Sequence, residues 1–98
     1  MFAVVNHLTF KDPVPAGLFD ATADEVIPAA RQIDGFRSLQ VVQDGPNGVI
    51  LVIVCDSAET VDRVATEVGS PWMSANVLPL LAAPPDRHVG PVLVSSDD

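Results

Sequence analysis

A chain of 98 residues, of which 48% are hydrophobic, has enough apolar material for one folded domain and too few residues for two. Its formal net charge of −8, with only five cations scattered along the chain, argues against binding to nucleic acids or to anionic membranes. Cys55 is the only cysteine, which excludes an intramolecular disulfide and a thiolate zinc cluster and is typical of a cytoplasmic protein.

The N-terminal segment is predicted to be a β-strand. Residues 2–10 alternate so that Val4, Asn6 and Leu8 share one face while His7 lies on the other. No basic stretch precedes an apolar core here, so we do not expect a secretory signal peptide. Residues 11–17 contain two prolines and are predicted to form a loop.

A first helix is predicted after this loop. Thr22 and Glu25 have the spacing of a capping box, which indicates a helix start at Thr22. Gly35 is expected to stop the helix, and Pro28 is expected to kink it. The apolar stripe of this helix consists of Val26, Ala30 and Ile33.

Two strands are predicted next, over residues 36–44 and 49–56, joined by the turn residues 45–48 (GPNG) into a hairpin. Residues 49–55 are apolar on both faces, which is typical of a central strand covered on both sides. This run is far shorter than the roughly 20 residues that a membrane-spanning helix needs. We therefore expect no membrane anchor.

The C-terminal part is predicted to contain more helix and a last strand. Ser57 can cap a helix that ends at Gly69, and Ser70-Pro71 can start another. The last strand is predicted over residues 87–95, followed by a short disordered acidic tail at residues 96–98. The residues expected to face inward from the helices are Val61, Val64, Ala65, Val68, Met73, Val77, Leu80 and Leu81.

This β-α-β-β-α-β order predicts an α+β fold of the ferredoxin-like type, a four-stranded antiparallel sheet with helices on one face. We expect residues 1–98 to form a single domain of this kind. The face of the sheet without helices would carry Val5, Val52 and Val54. An apolar face of this size is expected to pair with a second copy of the chain, giving a homodimer.

Four segments of the sequence resemble a known family. They are residues 5–10 (VNHLTF), 33–40 (IDGFRSLQ), 56–59 (DSAE) and 70–75 (SPWMSA). They look like the antibiotic-biosynthesis monooxygenase (ABM) family of dimeric α/β-barrel proteins, over roughly residues 2–94. The resemblance implies a homodimer whose two sheets close into a barrel. Some members of this family oxidise polycyclic aromatic substrates without metal or flavin, some bind and degrade haem, and many have no assigned reaction.

The resemblance also implies candidate residues. The haem-degrading branch uses an asparagine on the first strand, a tryptophan on the second helix and a histidine on the next helical segment. Asn6 matches the first position, whereas Val64 and Asn76 fall at the other two, so haem is disfavoured as a cofactor. The catalytic candidates are Asn6 and His7, and the substrate-binding candidates are Trp72, Asn76, Val64 and Met73. No metal site and no cofactor are expected.

The resemblance favours a cofactor-independent monooxygenase that acts on a small aromatic phenol or quinol. Such chemistry needs a dry pocket, a hydrogen-bond partner for a phenolate and a base. A non-catalytic dimeric ligand-binding or scaffold protein is the alternative, and its core would be filled, without a pocket. The side chains that would fill that core are Val4, Leu8, Val64 and Met73. A haem protein is the third interpretation, in which His7 or His88 would have to reach the iron.

Overall fold

The chain forms four strands and a set of short helices, and the computed structural model describes residues 1–96 of it. The strands are β1 (Phe2–Thr9), β2 (Phe36–Gln43), β3 (Gly48–Cys55) and β4 (Asp86–Pro91). The helices are α1 (Ile27–Arg31), α2 (Ala58–Val64) and α3 (Ser70–Asn76), with π-helical turns at Thr22–Val26 and Ala65–Gly69 and a 3-10 turn at Leu78–Leu80. The end of the predicted acidic tail, Asp97 and Asp98, lies outside the described residues.

The four strands form one antiparallel sheet in the order β2-β3-β1-β4. The two middle strands are therefore the first and third in the chain, and the helices between the strands pack on one face. This is the arrangement of a ferredoxin-like α+β fold, and the predicted fold class is confirmed. The predicted hairpin between β2 and β3 is also confirmed, and its turn is tight because Gly45 adopts a positive φ of 77°.

The register of β1 against β3 fixes which residues face the helices. Val4 lies opposite Ile53, and Leu8 lies opposite Val49. Val4 and Leu8 are buried, whereas His7 is exposed on the other face. Asn6, between Val4 and Leu8, shares their face, so it is the polar residue in the middle of an apolar row.

The core beneath the helices consists of two clusters, one at each end of that row. The first cluster joins the sheet to α1 and α2, and the second joins it to the segment around α3. The buried members of the first are Val4, Ala30, Ile33, Cys55, Val61 and Val64. Those of the second are Leu8, Phe10, Val49, Leu51, Val77 and Leu81. Asn6 thus lies on β1 between the residues that anchor the two clusters.

Both long helical segments contain a π-helical turn close to a proline. Ile27 donates its N–H to the carbonyl of Thr22, and Ser70 donates its N–H to the carbonyl of Ala65, each five residues earlier. A proline has no N–H, and its ring clashes with the carbonyl four residues before it. The α-helical hydrogen-bond pattern therefore cannot run unchanged into Pro28 or Pro71, and the wider turns accommodate them.

Three sequence-based predictions about the helical segments are wrong. The capping box is wrong, because the helix already includes residue 20 and Thr22 makes no capping hydrogen bond. The helix stop at Gly69 is wrong, because Gly69 has a helical φ of −66° and the helix continues into α3. Leu80 is 37% exposed rather than inward, because the 3-10 turn around Pro79 rotates it away from the core. The Ser57 cap is confirmed, since its hydroxyl accepts the Thr60 N–H.

The last strand is shorter than predicted. β4 ends at Pro91, which pairs with Phe2, the first residue of β1. Val92 still donates its N–H to the carbonyl of Met1 at 2.9 Å, and Leu93 and Val94 beyond it are exposed. Within residues 1–96, none of the helices has the length and apolar character that crossing a membrane requires.

Candidate functional site

A cavity of about 280 Å³ lies between the sheet and the helices. Its sheet side is formed by β1, β2 and β3, and its helix side by both π-helical turns and α3. The sheet contributes Val4, Asn6, Leu39, Leu51 and Ile53, and the helical side contributes Thr22, Val26, Ala65, Gly69, Trp72 and Met73. Most of these side chains are apolar, so the cavity favours an apolar ligand body.

The position of the cavity follows from the local sequence. Each π-helical turn places two of its residues on the cavity, Thr22 and Val26 from one turn and Ala65 and Gly69 from the other. Ala65 and Gly69 have small or absent side chains, so they leave the space open. The sequence thus produces a cavity whose helix side is formed in part by two proline-adjacent turns.

Two polar atoms that border the cavity have no hydrogen-bond partner. They are Asn6 Oδ1 and Thr22 Oγ1, and both are buried. Only 5% of Thr22 is exposed to solvent. Burying a polar group without a partner costs about 1–3 kcal/mol, so folded proteins rarely leave such groups unpaired without a reason. A ligand in the cavity would supply the missing partners.

Arg87 brings a positive charge to the rim of the same cavity. Its Cα lies opposite that of Asn6 in the β1–β4 pairing, so both residues belong to the helix-facing side of the sheet. Within residues 1–96 Arg87 makes no ion pair. A cation beside an amide can stabilise a negative charge on a bound ligand.

An aromatic cluster forms one wall. The rings of Phe19 and Trp72, which both border the cavity, have centroids 5.9 Å apart and are tilted by 46°. Phe10 packs edge-on against Phe19 at 6.5 Å. Phe19 comes from the segment between β1 and the first helical turn, so this segment covers part of the cavity. Aromatic walls of this kind suit a planar ring.

No protein-family model and no curated protein sequence matches the chain. Solved structures do match it. SnoaB from Streptomyces nogalater, described as a cofactor-independent oxygenase, is 13% identical with a TM-score of 0.75, over 99% of this chain and 97% of that one. ActVA-Orf6 from Streptomyces coelicolor, a monooxygenase in complex with nanaomycin D, is 21% identical with a TM-score of 0.71, over 96% and 92%. Rv0793 from Mycobacterium tuberculosis is 25% identical with a TM-score of 0.71, over 97% of each chain.

This chain has the antibiotic biosynthesis monooxygenase fold. The resemblance inferred from the sequence is confirmed at the level of the fold. At these sequence identities the structural similarity shows the fold and not the activity, because one fold hosts many functions.

Three of the six candidates predicted from the sequence border the cavity of this ABM fold. Asn6 lies on its sheet side, and Trp72 and Met73 lie on its helix side. Val4 and Met73, which would close the space in a filled core, instead line it. The structure therefore brings Asn6, Trp72 and Met73 together around one open space.

The other three candidates lie elsewhere. Val64 is buried in the first core cluster. Asn76 is exposed, and its Nδ2 donates a hydrogen bond to the carbonyl of Trp72 at 2.9 Å. His7 projects from the opposite face of the sheet, where its Nε2 lies 3.1 Å from the carboxylate of Asp44. None of the three borders the cavity.

Thr22, Phe19 and Arg87 border the cavity and were missed from the sequence. Thr22 was assigned to a helix cap, and Phe19 lies in a segment without periodicity. Arg87 could have been found, because the alternation of β4 together with the strand pairing places it beside Asn6.

The histidine positions of this ABM fold do not fit a haem. His7 and His88 both project from the sheet face opposite the cavity, since His88 pairs with Val5 across β1 and β4. His88 instead contacts the carboxylate of Asp86 at 3.0 Å. An imidazole would have to come from within the cavity to hold the iron of a haem there. Among residues 1–96 there is also no cluster of three His, Cys, Asp or Glu side chains that could hold a metal ion.

Proposed function

We propose that this protein is a cofactor-independent monooxygenase that acts on a small aromatic phenol or quinol. The observation that carries the proposal is the apolar cavity of about 280 Å³ with two buried, unpartnered polar atoms. An apolar cavity of about 150 Å³ is large enough to bind benzene. On that scale this cavity has room for two fused aromatic rings.

The residues of the cavity support first the binding of a neutral phenol and then its ionisation. Asn6 Oδ1 accepts the hydrogen bond of the neutral phenol, and the guanidinium of Arg87 stabilises the phenolate. Arg87 is the only titratable side chain among those that line the cavity within the described residues, so the phenolic proton leaves to solvent at the rim. The apolar walls keep water away from the electron-rich ring.

The ionised ring then supplies the electrons that reduce dioxygen. A ring carbon that carries two hydrogens in the keto form of the phenol becomes a carbonyl. One oxygen atom enters that carbonyl, and the other leaves as water with the two hydrogens. The four electrons lost by the carbon are the four that dioxygen takes up, so no other reductant is required. The protein contributes orientation, charge stabilisation and exclusion of water.

The structural neighbours support this class of reaction. SnoaB is described as a cofactor-independent oxygenase, and ActVA-Orf6 is a monooxygenase seen with a bound small molecule. In our proposal Asn6 contacts the substrate oxygen, and Trp72 and Met73 contact its ring. His7, Asn76 and Val64 act outside the cavity and contact no substrate.

We also propose that the protein is a homodimer formed through the sheet face without helices. Val5 and Val42 on this face are 38% and 49% exposed, and Val52 is half-buried. Covering these side chains removes apolar surface from water, which favours association. Light scattering at micromolar concentration should give the mass of a dimer, and the mass of a monomer would contradict this proposal.

The enzymatic proposal is tested by oxygen uptake with naphthols and hydroquinones in the presence of a metal chelator. Ala65→Phe fills the cavity, and Ala75→Phe makes the same change on the exposed side of α3. We expect uptake well above the rate without protein, lost in Ala65→Phe and retained in Ala75→Phe. Uptake that does not respond to filling of the cavity contradicts the proposal. Ligand binding without uptake would favour the non-catalytic ligand-binding protein instead.

A further inference from the structure

Most of the wall of the cavity belongs to hydrogen-bonded elements. Of the residues that line it, all except Phe19 and Pro85 lie in a strand or a helical segment. Pro85 immediately precedes β4. Phe19 lies in a turn, and its ring reaches into the aromatic wall, 5.9 Å from the ring of Trp72. Phe19 is therefore the part of the wall that can move furthest without breaking a helix or a strand.

The segment that carries Phe19 begins where the backbone is last tied to the sheet. Val14 donates its N–H to the carbonyl of Pro46, in the turn between β2 and β3, at 2.9 Å. Beyond Val14 the pattern changes. Within residues 1–96, the backbone hydrogen bonds of residues 15–19 all run inside this segment or to the start of the helix that follows it. We call residues 15–19 the lid.

Side-chain packing holds the lid on the cavity. Leu18 and Phe19 are half-buried and pack against the second core cluster, whereas the three residues before them are exposed. Gly17, in the middle of the lid, has a φ of +79°, a conformation that glycine adopts without strain. Lids over binding sites move about a few such positions that absorb the backbone rotation. The lid thus has a pivot at Gly17 and an aromatic contact at its end.

We infer that the lid is the gate through which ligands enter the cavity, and that the Phe19 ring keeps the gate closed. In the closed state this ring packs against Phe10 and Trp72. Rotation about Gly17 withdraws the ring and uncovers Trp72 together with the cavity. This inference rests on the proposed function for the cavity as a ligand site, but it requires no oxidation.

The test uses Trp72 as its reporter. Trp72 is the only tryptophan, and the chain has no tyrosine, so its fluorescence reports on the space beneath the lid. Phe19→Ala removes the ring from the gate. Phe36→Ala is the matched control, because Phe36 is also partly buried but packs against the first core cluster. Binding of a naphthol is followed by stopped-flow fluorescence under nitrogen, so that no oxidation takes place.

A gate residue and a wall residue differ in the rate constants that they change. Loss of a gate raises the association and dissociation rate constants together, because a closed lid hinders both directions. Loss of a wall contact raises the dissociation rate constant alone. We expect Phe19→Ala to raise both rate constants about tenfold, with a smaller change in Kd, and Phe36→Ala to change neither. In the original protein the observed rate should reach a plateau at high naphthol concentration, set by the opening of the lid.

The lid can also be tested without a ligand. Lid opening takes place in microseconds to milliseconds, a range that NMR relaxation dispersion detects. In the unliganded protein we expect a common exchange process at the lid amides and at the indole N–H of Trp72. This exchange should disappear from Trp72 in Phe19→Ala and persist there in Phe36→Ala.

The inference is overturned if Phe19→Ala raises only the dissociation rate constant, if it changes neither rate constant, or if the lid shows no exchange. If no naphthol binds, the exchange measurement alone decides. Oxygen uptake is measured separately, so failure of the lid and failure of the proposed function are distinguishable. Gated binding without oxygen uptake supports the lid and contradicts the oxygenase. Oxygen uptake together with binding rates that are insensitive to Phe19→Ala does the reverse.

Discussion

Replacing Asn6 with leucine should stabilise the unliganded protein. Asn6 Oδ1 is buried without a partner between two apolar clusters, and leucine has a similar size without the polar atoms. Burial of an unpaired amide costs about 1–3 kcal/mol, and since one atom is affected here we expect a gain of about 1–2 kcal/mol. For a domain of this length that gain raises the melting temperature by about 4–16 °C.

The assay is thermal unfolding followed by circular dichroism at fixed protein concentration. Asn76→Leu is the matched control, because that amide is exposed and already donates to the Trp72 carbonyl. The control removes that exposed hydrogen bond, so we expect it to leave the stability unchanged or to lower it by up to about 1 kcal/mol, in contrast to the gain expected for Asn6→Leu. In our account Asn6→Leu also abolishes binding of phenolic ligands.

A lower melting temperature for Asn6→Leu would show that Asn6 Oδ1 is not an unpaired buried atom. It would mean that the Asn6 amide is paired in the folded protein, so that its removal breaks a hydrogen bond. A gain in stability together with retained ligand binding would also contradict the role assigned to this oxygen.

Three further predictions follow from single residues. Gly35→Ala should destabilise the protein by about 1–3 kcal/mol in urea unfolding, since Gly35 has a φ of +95° and an added Cβ would lie 2.6 Å from Thr60 Oγ1. Gly90→Ala, with nothing within 4 Å and no positive φ, should change stability little. Burial raises the pKa of the Cys55 thiol, so the free energy of unfolding should fall as the pH rises through this raised pKa. Alkylation of Cys55 by iodoacetamide should accordingly be slower in the native protein than in urea, and equal rates would contradict its burial. Arg87→Met should raise the KM for phenolic substrates about tenfold and shift the activity profile to higher pH, and an unchanged profile would exclude stabilisation of the phenolate by Arg87.

The sequence predicted most of the fold because the alternation of β1 and the apolar run of β3 are strong local signals. The two faces of β1 were assigned correctly, and so was the position of Asn6 on the helix side. The helix boundaries were predicted less well. Thr22 and Gly69 carry the usual residues of a cap and a stop, but both lie inside continuous helices that widen near Pro28 and Pro71.

The candidate site could be predicted only in part. Asn6 and Trp72 stood out by residue type, and both border the cavity. Thr22 and Arg87 reach it through tertiary placement, one by the packing of a π-helical turn and the other by the pairing of β4 with β1. His7 is the neighbour of Asn6 in sequence, yet it projects from the opposite face of the sheet. Successive side chains of a β-strand lie on opposite faces of the sheet, so neighbours in sequence cannot share a site on one face.

In the proposed function, the cavity is the place where a phenol reacts with dioxygen. The most direct test supplies dioxygen labelled with the heavy isotope of oxygen to the metal-free protein and a naphthol, and analyses the product by mass spectrometry. We expect the product carbonyl to carry one labelled atom, formed at a rate well above that without protein, and we expect Ala65→Phe to abolish this excess. If the label enters the product at the same rate without protein, or in equal amount with the Ala65→Phe variant, the proposed function is contradicted.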